Sequence, residues 1–444
     1  MLRTLVFALV PVNHGLMERR GRTTAASQPV PGARGRAVWG PVIGFGLVSL
    51  AADAVSDGAR PLAGPLLAQL GASALLVGLV TGAAEAAAQG LRLLFGPWAD
   101  RTRRYWTFTI AGYGLTAVCV PLLAVAPLAG AAGLLVASVL IIGDRVGKAV
   151  RSPAKTVLLA RVASPVGRGR GFAVHKSLDL AGALLGPVLV AAVLAVSGNL
   201  TAAFAVLALP AAAAMVLLTW LRRRIAEPGG HPPAGAVAAG LVPGTGSPAA
   251  GAGPPGVTGH PPPLLTGAFA LFAAAAFLWS AGLVAFGVIS FHLTTAAAVP
   301  VAAVPLLYAG AMAAAALGAL ATGVLYDRSG AWVLLALPPL IAAIPVLALS
   351  PAGGLAVAGV LVWGAATGIQ DSTVKALIAD LVPELRQGTA YGVFAAFEGA
   401  GALAGGALYG GLYGTRELLI LAVVLLQLLA FTVLVVALRR TDKP

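Results

Sequence analysis

A succession of about twelve long apolar stretches separated by short polar connections sets the limits on what this chain can fold into. They are read at 39–60, 73–95, 106–126, 129–150, 172–196 and 200–221, and after a break at 264–290, 300–325, 331–350, 354–378, 389–413 and 417–438. Each is long enough to cross a hydrocarbon layer of ~30 Å as a helix. Without water, only helices and closed barrels satisfy their own backbone N–H and C=O groups, and stretches of this length read as helices. The 444 residues are 59% hydrophobic and 10% charged, against roughly 25% charge in soluble domains. Such a chain cannot cover a water-facing surface. The predicted class is an all-α membrane protein with twelve transmembrane helices in two pseudo-symmetric six-helix bundles.

The net charge of +14 could suggest nucleic acid, but the bases are interspersed with membrane-length runs. The surplus reads as topology-setting charge. Arg101, Arg103, Arg104, Arg161, Arg168, Arg170, Arg222 to Arg224, Arg328, Arg386, Arg439 and Arg440 lie in alternate connections or the C-terminal tail, whereas the opposite connections contain Arg416. The positive-inside rule then places both termini in the cytoplasm. Abundant Ala and Arg-over-Lys usage suggest a GC-rich bacterial genome, and so a bacterial cytoplasmic (inner) membrane.

Residues 1–38 read as a disordered cytoplasmic extension, with Met17 as an alternative start; a weak signal peptide is the competing reading, against which Glu18, Arg19 and Arg20 follow the short apolar run. The first bundle is expected at 39–221, with its first span able to run on past Pro61 as a kinked extension. A Pro/Gly-rich cytoplasmic linker at 222–263, a second bundle at 264–438 and a cytoplasmic tail at 439–444 complete the organisation.

Two segments half a chain apart, Gly96-Pro-Trp-Ala-Asp100-Arg101 and Gly323-Val-Leu-Tyr-Asp327-Arg328, both read G-x-x-x-D-R. With the first half shifted by 219 residues, Asp179, Gly182, Ala183 and Leu184 fall on Glu398, Gly401, Ala402 and Leu403. An acid thus sits at the same depth of the fifth span in each half. A duplicated unit of this kind points to a secondary transporter.

These residues resemble the major facilitator superfamily, over nearly the whole chain after the first extension. The two G-x-x-x-D-R segments are similar to its signature loops, which usually continue x-G-R-R/K. The second copy keeps the glycine as Gly330, while the first has Arg103 there. The resemblance implies that Gly96, Asp100, Arg101, Gly323, Asp327 and Arg328 form a cytoplasmic gate motif. It also implies that Arg145 is the buried basic residue of the fourth-helix motif, linked to proton coupling. Gly182-Ala-Leu-Leu-Gly186-Pro187 resembles the fifth-helix antiporter motif without its trailing glycine pair. Gly147 to Lys155, with His175, Lys176 and Asp179, resembles a bacterial branch of permeases.

A charge at mid-bilayer costs about 2.5–3.5 kcal/mol on the insertion scale, so each demands a reason. Asp53, Asp57 and Arg60 share one helical face, as do Glu85, Gln89 and Arg92. Asp57 reads equally as a structural partner of Arg60 or as a transport residue; Asp53 and Glu85, without an evident helical partner, read as proton or solute sites. Asp144, Lys148, Arg151 and Lys155 form a stripe beside Arg145, which either attracts an anionic solute or neutralises neighbouring acids. His175 and Asp179 could load and release a proton; alternatively His175 is an inert interfacial residue. Glu398 is the second-half counterpart. Asp371 and Lys375 read as a structural bridge, and His292 as an interfacial residue.

Cys119 is the single cysteine, so neither a disulfide framework nor a thiolate metal site is available. There is no H-E-x-x-H, no phosphate-binding G-x-x-x-x-G-K-[ST] and no nucleophile–base pair. No enzyme activity, cofactor or metal is expected, and no aromatic cage is evident. A cavity lined by Ala, Val and Leu would suit an amphiphilic or apolar solute. The resulting expectation is a monomeric transporter in the lipid bilayer that exchanges protons for a small organic, drug-like solute in the export direction. The alternative is a proton symporter for uptake, or an exporter of a small anion, using the Arg145/Lys148 patch.

Overall fold

The computed structural model describes residues 31–225, 267–382 and 387–441. The expected linker beyond Ile225, most of the N-terminal extension and the last three residues lie outside these, as does the side chain of Lys375 and hence its pairing with Asp371. The chain divides into one unit up to Ala37 and a second from Val38 onward; the packing below belongs to the second.

The first half folds into α1 (Pro31–Ala59), α2 (Ala63–Gln69), α3 (Ala74–Gly90), α4 (Arg92–Thr102), α5 (Tyr105–Leu122), α6 (Gly133–Ala163), α7 (Arg168–Ser197), α8 (Leu200–Ala205) and α9 (Ala208–Arg224). The second half gives α10 (Gly267–Gly282), α11 (Phe286–Thr295), α12 (Val304–Ser329), α13 (Leu337–Ala348), α14 (Gly353–Leu381), α15 (Gln387–Gly411) and α16 (Arg416–Thr441). Among the described residues every regular element is helical. Ten helical segments are long and apolar enough to cross a membrane, so this is an all-α, multi-pass membrane protein. One of the ten, Val301–Ala348, contains both α12 and α13 with a 3-10 turn between them. The 25-residue α15 is additional to the ten.

Helix ends follow ordinary cap chemistry where the sequence offers it. The Ser73 hydroxyl accepts from the Leu76 N–H (3.3 Å) at the start of α3, and Asn199 accepts from Thr201 (2.8 Å) at the start of α8. The first span does continue past Pro61: a 3-10 turn at Arg60–Leu62 carries the chain into α2. The seventh span departs from expectation. It is read as one helix but is interrupted at Leu283–Ala285, between α10 and α11. The freed backbone is held by side chains: the Tyr409 hydroxyl donates to the Gly282 carbonyl (2.7 Å) and Trp363 Nε1 to that of Val284 (2.8 Å). Irregular backbone at such depth requires this kind of internal satisfaction.

Both copies of the repeated motif end in a residue of positive φ three positions after the aspartate, but the turns differ. Arg103 is in the left-handed well (φ 54°, ψ 19°), which side-chain sterics disfavour but allow. Gly330 (φ 60°, ψ −152°) takes a conformation open essentially to glycine alone.

Small residues bring the backbones together. A Cβ on Gly182 would collide with the Leu50 carbonyl and one on Gly186 with that of Ala54, so α7 lies directly on α1. Their second-half equivalents do the same, with Gly401 against Phe277 and Gly405 against Ala281 of α10. The halves also touch each other: Gly78 meets Gly406, Gly82 meets Ala402 and Gly64 meets Gly287. One hydrophobic core joins residues from both halves, including Leu66, Leu67, Val77, Phe286, Ile289 and Tyr308. These contacts lie away from the repeated motifs, whose Asp100, Arg101, Arg103, Asp327 and Arg328 are all exposed.

Candidate functional site

The inward faces of α1, α3 and α6 place their charges together, as the spacing predicts. Asp53, Asp57 and Arg60 come from one face of the first span, Glu85 from α3, and Asp144, Arg145, Lys148 and Arg151 from α6. Two tiers result.

In the tier further from the motifs, Arg60 at the end of α1 pairs with Glu85, lies 3.9 Å from Asp57 and donates to the Tyr308 hydroxyl (3.4 Å). That hydroxyl in turn donates to Asp57 (2.9 Å). Ser56 donates to Asp144 (2.9 Å), and Arg145 Nε sits 3.7 Å from Asp144 and 4.0 Å from Glu85. In the tier nearer the motifs, Arg151 lies 3.6 Å from Asp53, donates to Thr116 (2.7 Å) and packs its guanidinium on the Tyr113 ring. Ser49 lies 3.0 Å from both Tyr113 and His175 and accepts from Lys155 (3.1 Å). His175 is 3.5 Å from Asp179, which Lys176 also approaches at 4.0 Å.

These distances supply the partners that helical spacing alone did not show. Asp53 and Glu85 each have a cation, contributed by another helix. Lys148 is half-buried, and no carboxylate of a described residue lies within ion-pair distance of it. Arg145 is 5% exposed and makes ion contacts only through Nε, leaving the rest of the guanidinium without a hydrogen bond among the described residues. Glu398 accepts from Gln370 (2.6 Å), and the half-buried Arg92 acts electrostatically on both it and Glu85. His292, near the end of its span, is buried in the protein: its ring nitrogens bond the Tyr413 hydroxyl (2.8 Å) and the Ser350 carbonyl (3.0 Å).

A cavity of about 40 Å³ sits against the first tier, lined by Ser56, Arg60, Thr81, Glu85, Asp144 and Arg145 from the first half and Ala285, Phe286 and Gly287 from the second. It has room for a few water molecules and not for an organic solute. Its wall is mixed: Ala59, Ala63, Ala84, Val120, Leu123 and Ala285 give the expected apolar lining, and the charged faces of α1, α3 and α6 add ionic groups to it. An aromatic cluster borders it too. The Phe286 ring centroid lies 4.8 Å from that of Tyr308 and 5.1 Å from that of Trp363. The count of aromatic residues hid this grouping, since the three come from three separate helices.

The Major Facilitator Superfamily model matches residues 45–406. The chain belongs to that superfamily. The match is to a transporter family, not an enzyme family. An uncharacterized protein of Mycobacterium tuberculosis (strain ATCC 25618 / H37Rv) is 47% identical over 402 residues, covering 89% of this chain and 92% of the relative. Among solved structures, a mutant of the nucleoside transporter NupG superposes with a TM-score of 0.66 at 14% identity, over 89% of this chain and 99% of that one. A D-xylose–proton symporter superposes with a TM-score of 0.63 at 13% identity, over 89% and 96%. At such identities the likeness is one of fold. The ionic tiers of this superfamily member are therefore read from its own residues.

Proposed function

We propose that this protein is a secondary transporter working by alternating access, in which uptake of a small organic anion is coupled to protons. Two six-helix bundles, 39–221 and 264–438, would rock about the ionic site in a bacterial cytoplasmic membrane, with both termini in the cytoplasm. Dividing Val301–Ala348 at its 3-10 turn and adding α15 brings the ten apolar segments to this twelve-helix count. The packing of α7 on α1, repeated by α15 on α10, supports the bundles as copies of one unit.

The observation that carries the coupling is the charge balance of the site. Asp53, Asp57, Glu85, Asp144 and Asp179 are matched in number by Arg60, Arg145, Lys148, Arg151 and Lys155, and Lys148 has no carboxylate of a described residue within ion-pair distance. An anionic group held by Lys148 and Arg145 would leave one negative charge in excess. Protonating one carboxylate restores the balance, so solute and proton are best admitted together. That logic is symport. Export by antiport rests on Gly182, Gly186 and Pro187, but both glycines have second-half equivalents that perform the same close packing. The symport reading also agrees with the fold shared with a D-xylose–proton symporter.

The test is transport in proteoliposomes with an imposed pH gradient, offering small carboxylates and neutral analogues while internal pH is read. Co-entry of protons with the carboxylates is expected; proton movement opposite to the solute establishes antiport instead. Asp53→Asn, Glu85→Gln and Asp179→Asn are compared in the same assay, and normal proton coupling in all three removes the site assignment.

A further inference from the structure

The Tyr308 hydroxyl ties the two halves of the chain together at the ionic site. Tyr308 belongs to α12 and is fully buried. Its hydroxyl donates to Asp57 on α1 and accepts from Arg60, which itself pairs with Glu85 on α3. Its ring stands edge-on to Phe286, the first residue after the break in the seventh span, and 6.3 Å from Trp363, whose indole N–H holds the carbonyl of Val284 inside that break. One chain of contacts thus runs from Glu85 through Arg60, Asp57 and Tyr308 to the interrupted backbone.

We infer that Tyr308 is a strap that keeps the end of the cavity formed by α2 and α11 closed through its hydrogen bond to the Asp57 carboxylate. The inference rests on the alternating-access reading above. A hydrogen bond to a charged acceptor is roughly twice as strong as a neutral one, so the strap is among the stronger single contacts between the two halves at this site. Arg60 holds it from the other side, because its bond to Glu85 fixes the guanidinium against the same hydroxyl. When the strap is cut, α11, whose span is interrupted at Leu283–Ala285, is the element it releases.

The experiment places a cysteine at Ser290, fully buried on α11 against Gly64, in a Cys119→Ala background reconstituted in nanodiscs. Labelling by a water-soluble maleimide is measured at one pH, each rate divided by that of Ser73→Cys in the same background to remove the reagent's own reactivity. Tyr308→Phe, which keeps the ring, should raise the relative labelling about tenfold, as expected for loss of a charge-assisted hydrogen bond. Asp57→Asn should change it in the same direction by less, and tests the same contact from the other half should the tyrosine variant fold poorly. Unchanged relative labelling in both variants overturns the strap. If labelling follows the expected pattern but proteoliposomes move no carboxylate, the strap stands and the anion-symport reading falls.

Discussion

The two halves share helices and packing but not chemistry. In the first, α1, α3 and α6 present carboxylates and cations to one another: Asp53 with Arg151, Glu85 with Arg60, Asp144 with Arg145. In the second, the neighbours of the centre are rings and amides. Phe272, Trp279 and Phe394 form one cluster, Phe286, Tyr308 and Trp363 another, and Gln370 joins Glu398. The acids that align under the repeat make the contrast in miniature. Asp179 faces His175 and Lys176 on its own helix, whereas Glu398 accepts from an amide of its own half and lies in the field of Arg92 from the other. Two halves can therefore share backbone contacts while one takes most of the charges and the other provides an apolar wall.

The sharpest way to break this comparison is to remove a cation from one half and an amide from the other. Arg60→Met leaves the half-buried Glu85 with only the longer contact to Arg145 (4.0 Å), and should cost about 3 kcal/mol, the low end for breaking a buried pair. Gln370→Met removes a neutral donor from Glu398 and should cost about 1–3 kcal/mol. Adding Glu85→Gln should recover most of the Arg60→Met loss, because the poorly paired charge is gone. Equilibrium unfolding in detergent measures all three. Equal costs at Arg60 and Gln370 would mean that the first half is no more ionic in energy than the second.

The packing should respond evenly where the chemistry does not. Gly186→Val on α7 and Gly405→Val on α15 each drive a side chain into the carbonyl of the helix beneath, Ala54 in one case and Ala281 in the other. Both should destabilise by about 1–3 kcal/mol. A much larger functional loss at Gly186, with unfolding costs equal at the two positions, would return weight to an antiporter role for that glycine.

Much of the architecture was legible because a membrane helix announces itself by length and apolarity, and the inward faces of α1 and α3 by the i, i+4, i+7 spacing of their charges. The partners were less so. Asp53 and Arg151 stand on different helices, and helical spacing reports only neighbours on one helix. Tyr308 lies in an apolar run with nothing nearby to distinguish it from a core aromatic, and its acceptor is 251 positions away. The break at Leu283–Ala285 follows a lone Gly282, which an apolar run tolerates; its stabilising donors, Trp363 and Tyr409, are distant in sequence. Proximity of His292 to a span's end says nothing of its partners Tyr413 and Ser350, which are remote in sequence.

The smallest expected effect separates the two copies of the repeated motif. Each must take a positive φ three residues after its aspartate, Arg103 in the left-handed well and Gly330 in a region open essentially to glycine. Arg103→Gly should therefore stabilise the protein by up to about 1 kcal/mol, the relief of left-handed strain being partly offset by the greater freedom of glycine in the unfolded chain. Gly330→Arg should lose about 1–3 kcal/mol. Both residues are exposed, so changes in burial do not obscure the backbone effect, and paired thermal unfolding in detergent reads the difference. If Arg103→Gly gains nothing while Gly330→Arg is costly, the arginine side chain must be compensating its own backbone strain, and the first turn is held by charge where the second is held by geometry.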